Sequence, residues 1–235
     1  FAQEEIDAYE AGIKTDVLDG RLRMNASAFN YDYRNVQIRQ AVFTGGVSVR
    51  TVPEAQVRGV ELETTFAPID QLLVRASVSY LDAELKKGTL QALPSDIGSI
   101  RYGAQQFPPP NVFPVEDVAG NRMTRAPEWQ YYLYGEYTWP MQAHALRLST
   151  TWRSQSSVFF SETNQDTRSF VGAGWDELDV RLGLSDADER WEIALFGRNV
   201  LDERHVTQVA PFNGFPVASV NMPAQFGAQL SYKIR

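Results

Sequence analysis

Glu61 and Glu63 stand two residues apart in VRGVELETTF, and Glu177, Asp179 and Arg181 repeat that alternation in WDELDVRLG. Carboxylates at such a spacing could divide general acid and general base work, and an arginine beside them could hold an anionic substrate. In an extended chain, however, residues i and i+2 project from one face. These charges therefore also read as one hydrated wall, to which Arg75, Arg147, Arg153 and Arg198 belong by the same phase. There is no HExxH, Walker A loop, GxSxG elbow or Rossmann glycine fingerprint. His144 and His205 are the only histidines, and neither has a ligand-spaced partner, so neither a metal nor a cofactor is expected. Asp186, Asp188 and Glu189 could suggest a hard-cation site but read more simply as a solvated turn. The chemistry expected is binding rather than catalysis, so the chain does not read as an enzyme.

A second set of residues suits capture of a ligand. Arg101, Tyr102, Phe107, Phe159, Phe160, Phe170, Arg204, His205, Phe212 and Phe215 combine stacking faces with cationic or polar handles in long polar stretches. That combination fits a bulky aromatic chelate. The competing account is that loop aromatics pack on one another to hold the loops.

Composition narrows the class. The net charge of -7 does not suit a phosphate-binding surface, so nucleic acid is not an expected partner. There are no cysteines, which excludes a disulfide framework or a thiolate metal site. No run approaches 18 apolar residues, and the mean hydropathy is -0.32. Both observations bear on membrane helices only. A strand that crosses a bilayer alternates lipid-facing and water-facing side chains, so its average hydropathy sits near or below zero.

Nine segments carry that alternation. WQYYLYGEYTW sets Trp129, Tyr131, Leu133, Gly135, Tyr137 and Trp139 against Gln130, Tyr132, Tyr134, Glu136 and Thr138. Elsewhere Val60 and Leu62 oppose Glu61 and Glu63, Leu146 and Leu148 oppose Arg147 and Ser149, and Leu178, Val180 and Leu182 oppose Glu177, Asp179 and Arg181. One face is almost uncharged and the other mixes both signs. The phase blurs at Phe29, where a bulge is expected. Short connections at 18 to 20, 68 to 71, 140 to 144 and 185 to 190 alternate with long ones at roughly 34 to 55, 85 to 127, 157 to 174 and 200 to 224. This is the rhythm of an antiparallel up-and-down meander with short turns at one end and long loops at the other. The expected class is an all-β transmembrane barrel, with aromatics near strand ends at the two interfaces and the charged residues facing a hydrated or plug-filled interior. A soluble β-sandwich shares the alternation and is the alternative.

Several stretches resemble the C-terminal barrel of TonB-dependent outer-membrane receptors. YEAGIKTDVLDGRLRMNASAFNYDYRNVQ is similar to that family's "YE-G-K" strand and the "A-F-Y-DY-N-Q" strand after it. VRGVELETTFAPIDQLLVRASVSYLDAE resembles its "GvE-E" strand, and APEWQYYLYGEYTW, WEIALFGRNVLDER and PAQFGAQLSYKI resemble three further signatures in the family's order. The resemblance implies that residues 1 to 235 are the last nine or so strands of a roughly 22-stranded barrel. The family's plug domain, energy-coupling box and earlier strands would lie N-terminal to Phe1, and the chain reads as cut from something longer. One departure is the end at Arg235, where such barrels commonly finish on an aromatic. The implied function is active uptake across the outer membrane of Gram-negative bacteria, of a ferric siderophore first and of cobalamin, haem or an oligosaccharide behind it. The implied partners are outer-membrane lipid, the protein's own plug, the TonB energy-coupling complex and the ligand. A passive porin and a soluble carbohydrate-binding β-protein are the alternative functions.

Overall fold

The computed structural model describes residues 2–42, 46–91, 115–164, 170–212 and 215–234. In chain order the strands are β1 (Glu5–Val17), β2 (Leu22–Val42), β3 (Gly46–Ile69), β4 (Leu72–Lys87), β5 (Thr89–Gln91), β6 (Val115–Asp117), β7 (Trp129–Pro140) and β8 (His144–Gln155). They continue as β9 (Val158–Phe159), β10 (Val171–Gly172), β11 (Trp175–Asp186), β12 (Trp191–Arg198), β13 (Val206–Phe212), β14 (Phe215–Val220) and β15 (Gln225–Tyr232). Among the described residues nine of them form one antiparallel meander in the order β1-β2-β3-β4-β7-β8-β11-β12-β15. The other six pair off as β5/β6, β9/β10 and β13/β14 hairpins, all within the long connections.

Register carries each face across the whole sheet. Ile13 stands opposite Ala26, Ala26 opposite Leu62, Leu62 opposite Val78 and Val78 opposite Tyr131. One residue along, Lys14, Asn25, Glu63, Ser77, Tyr132, Arg153 and Glu177 make the matching row on the other face. The first face leaves large apolar side chains uncovered, with Ile13 67% exposed, Leu195 60% and Phe226 75%. A continuous uncovered apolar face of this size needs an apolar solvent.

Aromatic rings bound that face at both ends. Toward the long loops, Tyr80, Trp129, Tyr131 and Trp152 form a chain of rings with centroids 4.8, 6.0 and 6.2 Å apart. Toward the short turns, the rings of Tyr137 and Trp139 lie 4.6 Å apart and those of Trp191 and His144 meet at a tilt with centroids 5.7 Å apart. From Trp129 to Trp139 the strand runs roughly 33 Å at about 3.3 Å per residue. Tilted by about 40°, it covers roughly 25 Å, the height of an outer-membrane apolar band.

Beyond the loop-end ring of aromatics the polarity of the faces inverts. Asp7, Asp32, Gln56 and Glu84 continue the row pattern on the same face as Ile13. Charges here pair along and across strands: Arg34 with Glu5 and Asp7 at 3.1 and 2.8 Å, Arg58 with Asp82 at 2.7 Å and Lys87 with Glu54 at 2.7 Å. Apolar residues of the same extensions gather into a core of Val36, Val52, Ala55, Leu85, Leu90 and Val118, with Tyr33, Ile38 and Met123 against it. This is the pattern of a soluble sheet, apolar inside and charged outside.

Two expectations are corrected. The connection expected at 34 to 55 is mostly strand, because β2 runs to Val42 and β3 starts at Gly46. Charged alternation there marks a change of solvent rather than the end of pairing. No bulge occurs at Phe29, whose register is unbroken on both sides. The phase blurred because Phe29 is an aromatic on the charged face, lying over Gly59 so closely that a Cβ there would sit 2.7 Å from its ring. Register shifts occur instead in the β3/β4 pair, at Glu54/Ala55 and Phe66/Ile69.

Leu182 and Ser149 give a direct check, since both lie on paired strands but on opposite faces. In the complete protein folded into lipid, Leu182→Arg should cost about 2 to 4 kcal/mol by denaturant unfolding, and Ser149→Asn far less. Equal losses at the two positions would contradict the assignment of faces.

Candidate functional site

The charged face of the sheet holds Glu61, Glu63, Arg75, Arg147, Arg153, Glu177, Asp179, Arg181 and Arg198 together. They sort into two groups by pairing. Arg153 reaches Asp179 at 2.6 Å and Glu177 at 3.7 Å, and Arg181 makes a two-pronged bond to Glu192 at 2.8 and 2.7 Å. Arg147 bonds Glu189 at 3.0 Å and lies 3.7 Å from Glu136. These charges are neutralised within the wall. Glu61, Glu63, Arg75 and Arg198 have no ion pair among the described residues: Glu63 accepts only a 3.5 Å bond from Asn25, while Arg75 and Arg198 lie over the rings of Tyr134 and Phe196. A charge on the wall without a partner there is free to meet what enters the interior.

Above the wall, two side-chain knots hold the long loops. In the first, Asn164 imitates a strand partner: its Oδ1 accepts the Arg122 N–H at 2.6 Å and its Nδ2 donates to the Arg122 carbonyl at 2.8 Å. Asn121 adds a bond to the Glu162 carbonyl, and the Arg125 N–H donates to the Phe159 carbonyl. The Arg122 guanidinium lies 5.8 Å from the centre of the Phe159 ring. The segment before β7 is thereby sewn to the segment after β9.

The second knot is built on Asn199, which is 6% exposed. Its Nδ2 donates to the carbonyls of Glu203 and Met222, its Oδ1 accepts the Glu203 N–H, and its own N–H donates to Asp179. Asn199 and Asp202 both adopt positive φ, 46° and 49°, a conformation Asn and Asp tolerate better than other side-chain-bearing residues. Asp202 accepts the Ala224 N–H, and Asn221 donates to Glu177 at 2.8 Å and to the Glu203 carbonyl at 2.9 Å.

These knots revise the ligand handles. Phe170 is 1% exposed and the His205 side chain 7%, so both are packed into the loop scaffold instead of being presented to solvent. Phe159 and Phe160 are half-buried. Arg204 stays exposed beside Asp202 at 3.6 Å, and Phe212 and Phe215 face each other in the backbone register of the β13/β14 hairpin. Arg101, Tyr102 and Phe107 lie outside the described residues. Asp186 caps its turn by accepting the N–H groups of Arg190 and Trp191, and among the described residues no cluster of three or more His, Asp or Glu is placed to hold a metal. Asn164, Asn199 and Asn221 were not among the residues expected to matter. The spacing Asn199-Val200-Leu201-Asp202 was the available sign, being turn chemistry placed directly after a strand.

With this geometry in place, comparison with known proteins is informative. The family model described as "TonB dependent receptor-like, beta-barrel" matches residues 1–200. The metal-pseudopaline receptor CntO of Pseudomonas aeruginosa is 37% identical over 87 residues, which are 37% of this chain and 12% of that protein. Among solved structures, the ferric yersiniabactin uptake receptor FyuA of Yersinia pestis superposes with a TM-score of 0.71 at 18% identity, covering 96% of this chain and 29% of its own. The siderophore receptor PiuA of Acinetobacter baumannii gives 0.68 at 21% identity, covering 97% and 28%. The chain thus spans less than a third of the length of these structures.

Asn199→Ala removes the three side-chain bonds of the second knot, at about 0.5 to 1.5 kcal/mol for each bond lost, while Asn221 still donates to the Glu203 carbonyl. Limited proteolysis of the complete folded protein should then cut within residues 200 to 224 faster than in the wild type, with the strands unaffected. Unchanged cleavage would show that the knot does not hold the loop.

Proposed function

This chain belongs to the TonB-dependent receptor β-barrel family, and from that premise we propose that it is the C-terminal part of an outer-membrane transporter that takes up a bulky metal chelate of the siderophore kind. The observation that carries the proposal is the pair of faces: one apolar and bounded by two aromatic rows, the other lined by charges. The first suits lipid and the second a filled, hydrated interior. The chelate class is supported by the relatives, which include a metal-pseudopaline receptor and receptors for ferric yersiniabactin and other siderophores.

Completion of the barrel follows from its edges. The outer edges of β1 and β15 have no strand partner among the described residues. Inside hydrocarbon each unpaired N–H or C=O costs several kcal/mol, so further strands must close the sheet. In this reading those strands and a plug precede residues 1 to 235, and the TonB complex acts through that preceding part. The unpaired carboxylates of Glu61 and Glu63, with Arg75 and Arg198, then face the plug or the passing ligand. Arg101, Tyr102, Phe107, Phe159, Phe160, Arg204, Phe212 and Phe215 supply stacking and cationic contacts at the mouth. Phe170 and His205 hold the loops that carry them.

The complete protein in the outer membrane of a metal-starved host should import a radioiron-loaded siderophore, and collapse of the inner-membrane proton gradient should stop that import. Phe159→Ala should weaken capture roughly two- to tenfold, the worth of one stacked ring at about 0.5 to 1.5 kcal/mol. Import that survives the collapse would identify a passive pore, and uptake of no metal chelate would overturn the ligand class.

A further inference from the structure

We propose that the β13/β14 hairpin is a pH-responsive flap hinged at His205, docked against the wall while the imidazole is neutral and released when it is protonated. The hairpin strands pair only with each other among the described residues. His205 and Asn221 close its stem: the Asn221 N–H donates to the His205 carbonyl at 3.1 Å, and the His205 N–H donates to Asn221 Oδ1 at 3.1 Å. The stem meets the wall through both residues. Asn221 Nδ2 donates to Glu177 at 2.8 Å, and the His205 ring stacks on Trp175 with centroids 4.3 Å apart and planes 8° from parallel. The contacts of the hinge with the wall are therefore one stacked histidine and one amide, above the base that Asn199 ties through the Met222 carbonyl.

The histidine is held in a way that its charged form does not fit. Its side chain is 7% exposed, and Nδ1 has no hydrogen-bond partner among the described residues. The carboxylate oxygen Glu177 Oε1 lies 3.9 Å away, beyond hydrogen-bond reach, and is already engaged by Asn221. The other Glu177 oxygen lies 3.7 Å from Arg153, so part of its charge is spent across the wall. Glu203 is the second carboxylate facing the ring, and the neighbouring Arg204 lies beside Asp202. Burial lowers the His205 pKa below its ordinary 6.5, and the pull of Glu177 and Glu203 does not offset it.

The sign follows from linkage. A base whose pKa is depressed in the docked form binds its proton less readily there than in the released form. Docking is therefore at full strength above 6.5 and weakens as pH falls from that value toward the docked pKa. Acidification at the cell surface would loosen the flap over the mouth, whichever ligand the mouth takes.

The test uses the complete protein in nanodiscs with spin labels at Ala218→Cys on β14 and Ala187→Cys in the turn after β11, both exposed positions. At about pH 8 the distance distribution should be single and narrow, and at about pH 5 it should broaden or shift. His205→Phe, which keeps a stacking ring without a titrating group, should stay narrow at both. His205→Gln should likewise lose the pH response, and the His205 imidazole resonance, assigned by its loss in that variant, should titrate below 6.5. A wild-type distribution that does not change with pH, a response that persists in either variant, or a titration midpoint at or above 6.5 would overturn the proposal.

Discussion

The backbone ladder commits every side chain of the nine long strands to a face, because a slip of one residue would turn each of them to the other side. In a membrane the cost of such a slip is unusually high, since it would put Glu63, Arg153 and Glu177 into hydrocarbon and Leu62, Trp152 and Leu178 into the interior. The register is held by close fits at particular cross-strand pairs. Phe29 lies over Gly59, and Phe196 over Gly227, each ring filling the space its partner leaves empty. The charged wall, the aromatic rows and the points where loops leave the sheet are all consequences of that single register.

The ladder does not stop at the membrane, and the side chains record where the solvent changes. Inside the apolar band the outward row reads Ile13, Ala26, Leu62 and Val78, and farther along the same strands it reads Asp7, Asp32, Gln56 and Glu84. Outward charges beyond the band are largely matched among themselves, through Arg34, Arg58 and Lys87, while the apolar residues of the extensions bury one another around Val52 and Leu85. One hairpin thus obeys two opposite rules along its length. The hydrogen-bonded backbone is indifferent to the change, which is why pairing continues through it.

That also explains what the sequence could and could not reveal. Alternation in segments such as WQYYLYGEYTW is a local property, and so the strands, their faces and the short turns were legible. The ends of β2 and β3 were not, because a charged alternating segment reads as a loop until its apolar partners, Val118 and Leu90, are known to lie against it. The charged wall was legible as a set, but which of its members neutralise one another depends on pairs such as Arg153 with Asp179, which stand on adjacent strands far apart in sequence. Among the loop residues, composition identified aromatics and cations without separating those on the surface from those underneath. Phe170 has the same chemistry as Phe159, and His205 follows Arg204 directly, yet Phe170 and His205 are buried in loops tied by asparagines whose partners are 18 to 44 residues away.

The asparagine knots separate two demands that a receptor places on one chain. The wall must keep its register, which leaves little freedom to the residues that set it. In the proposed transporter the mouth must suit a ligand, which asks for freedom in side chains and loop length. Asn164 and Asn199 meet backbone groups, namely the N–H and carbonyl of Arg122 and the carbonyls of Glu203 and Met222, and make few demands on the side chains around them. A loop held by its backbone can change the side chains it presents without losing its anchor. The wall supplies the fixed end of the second knot through Asp179 and Glu177, so the same face that neutralises Arg153 also sets the height and direction from which the last long loop leaves the sheet.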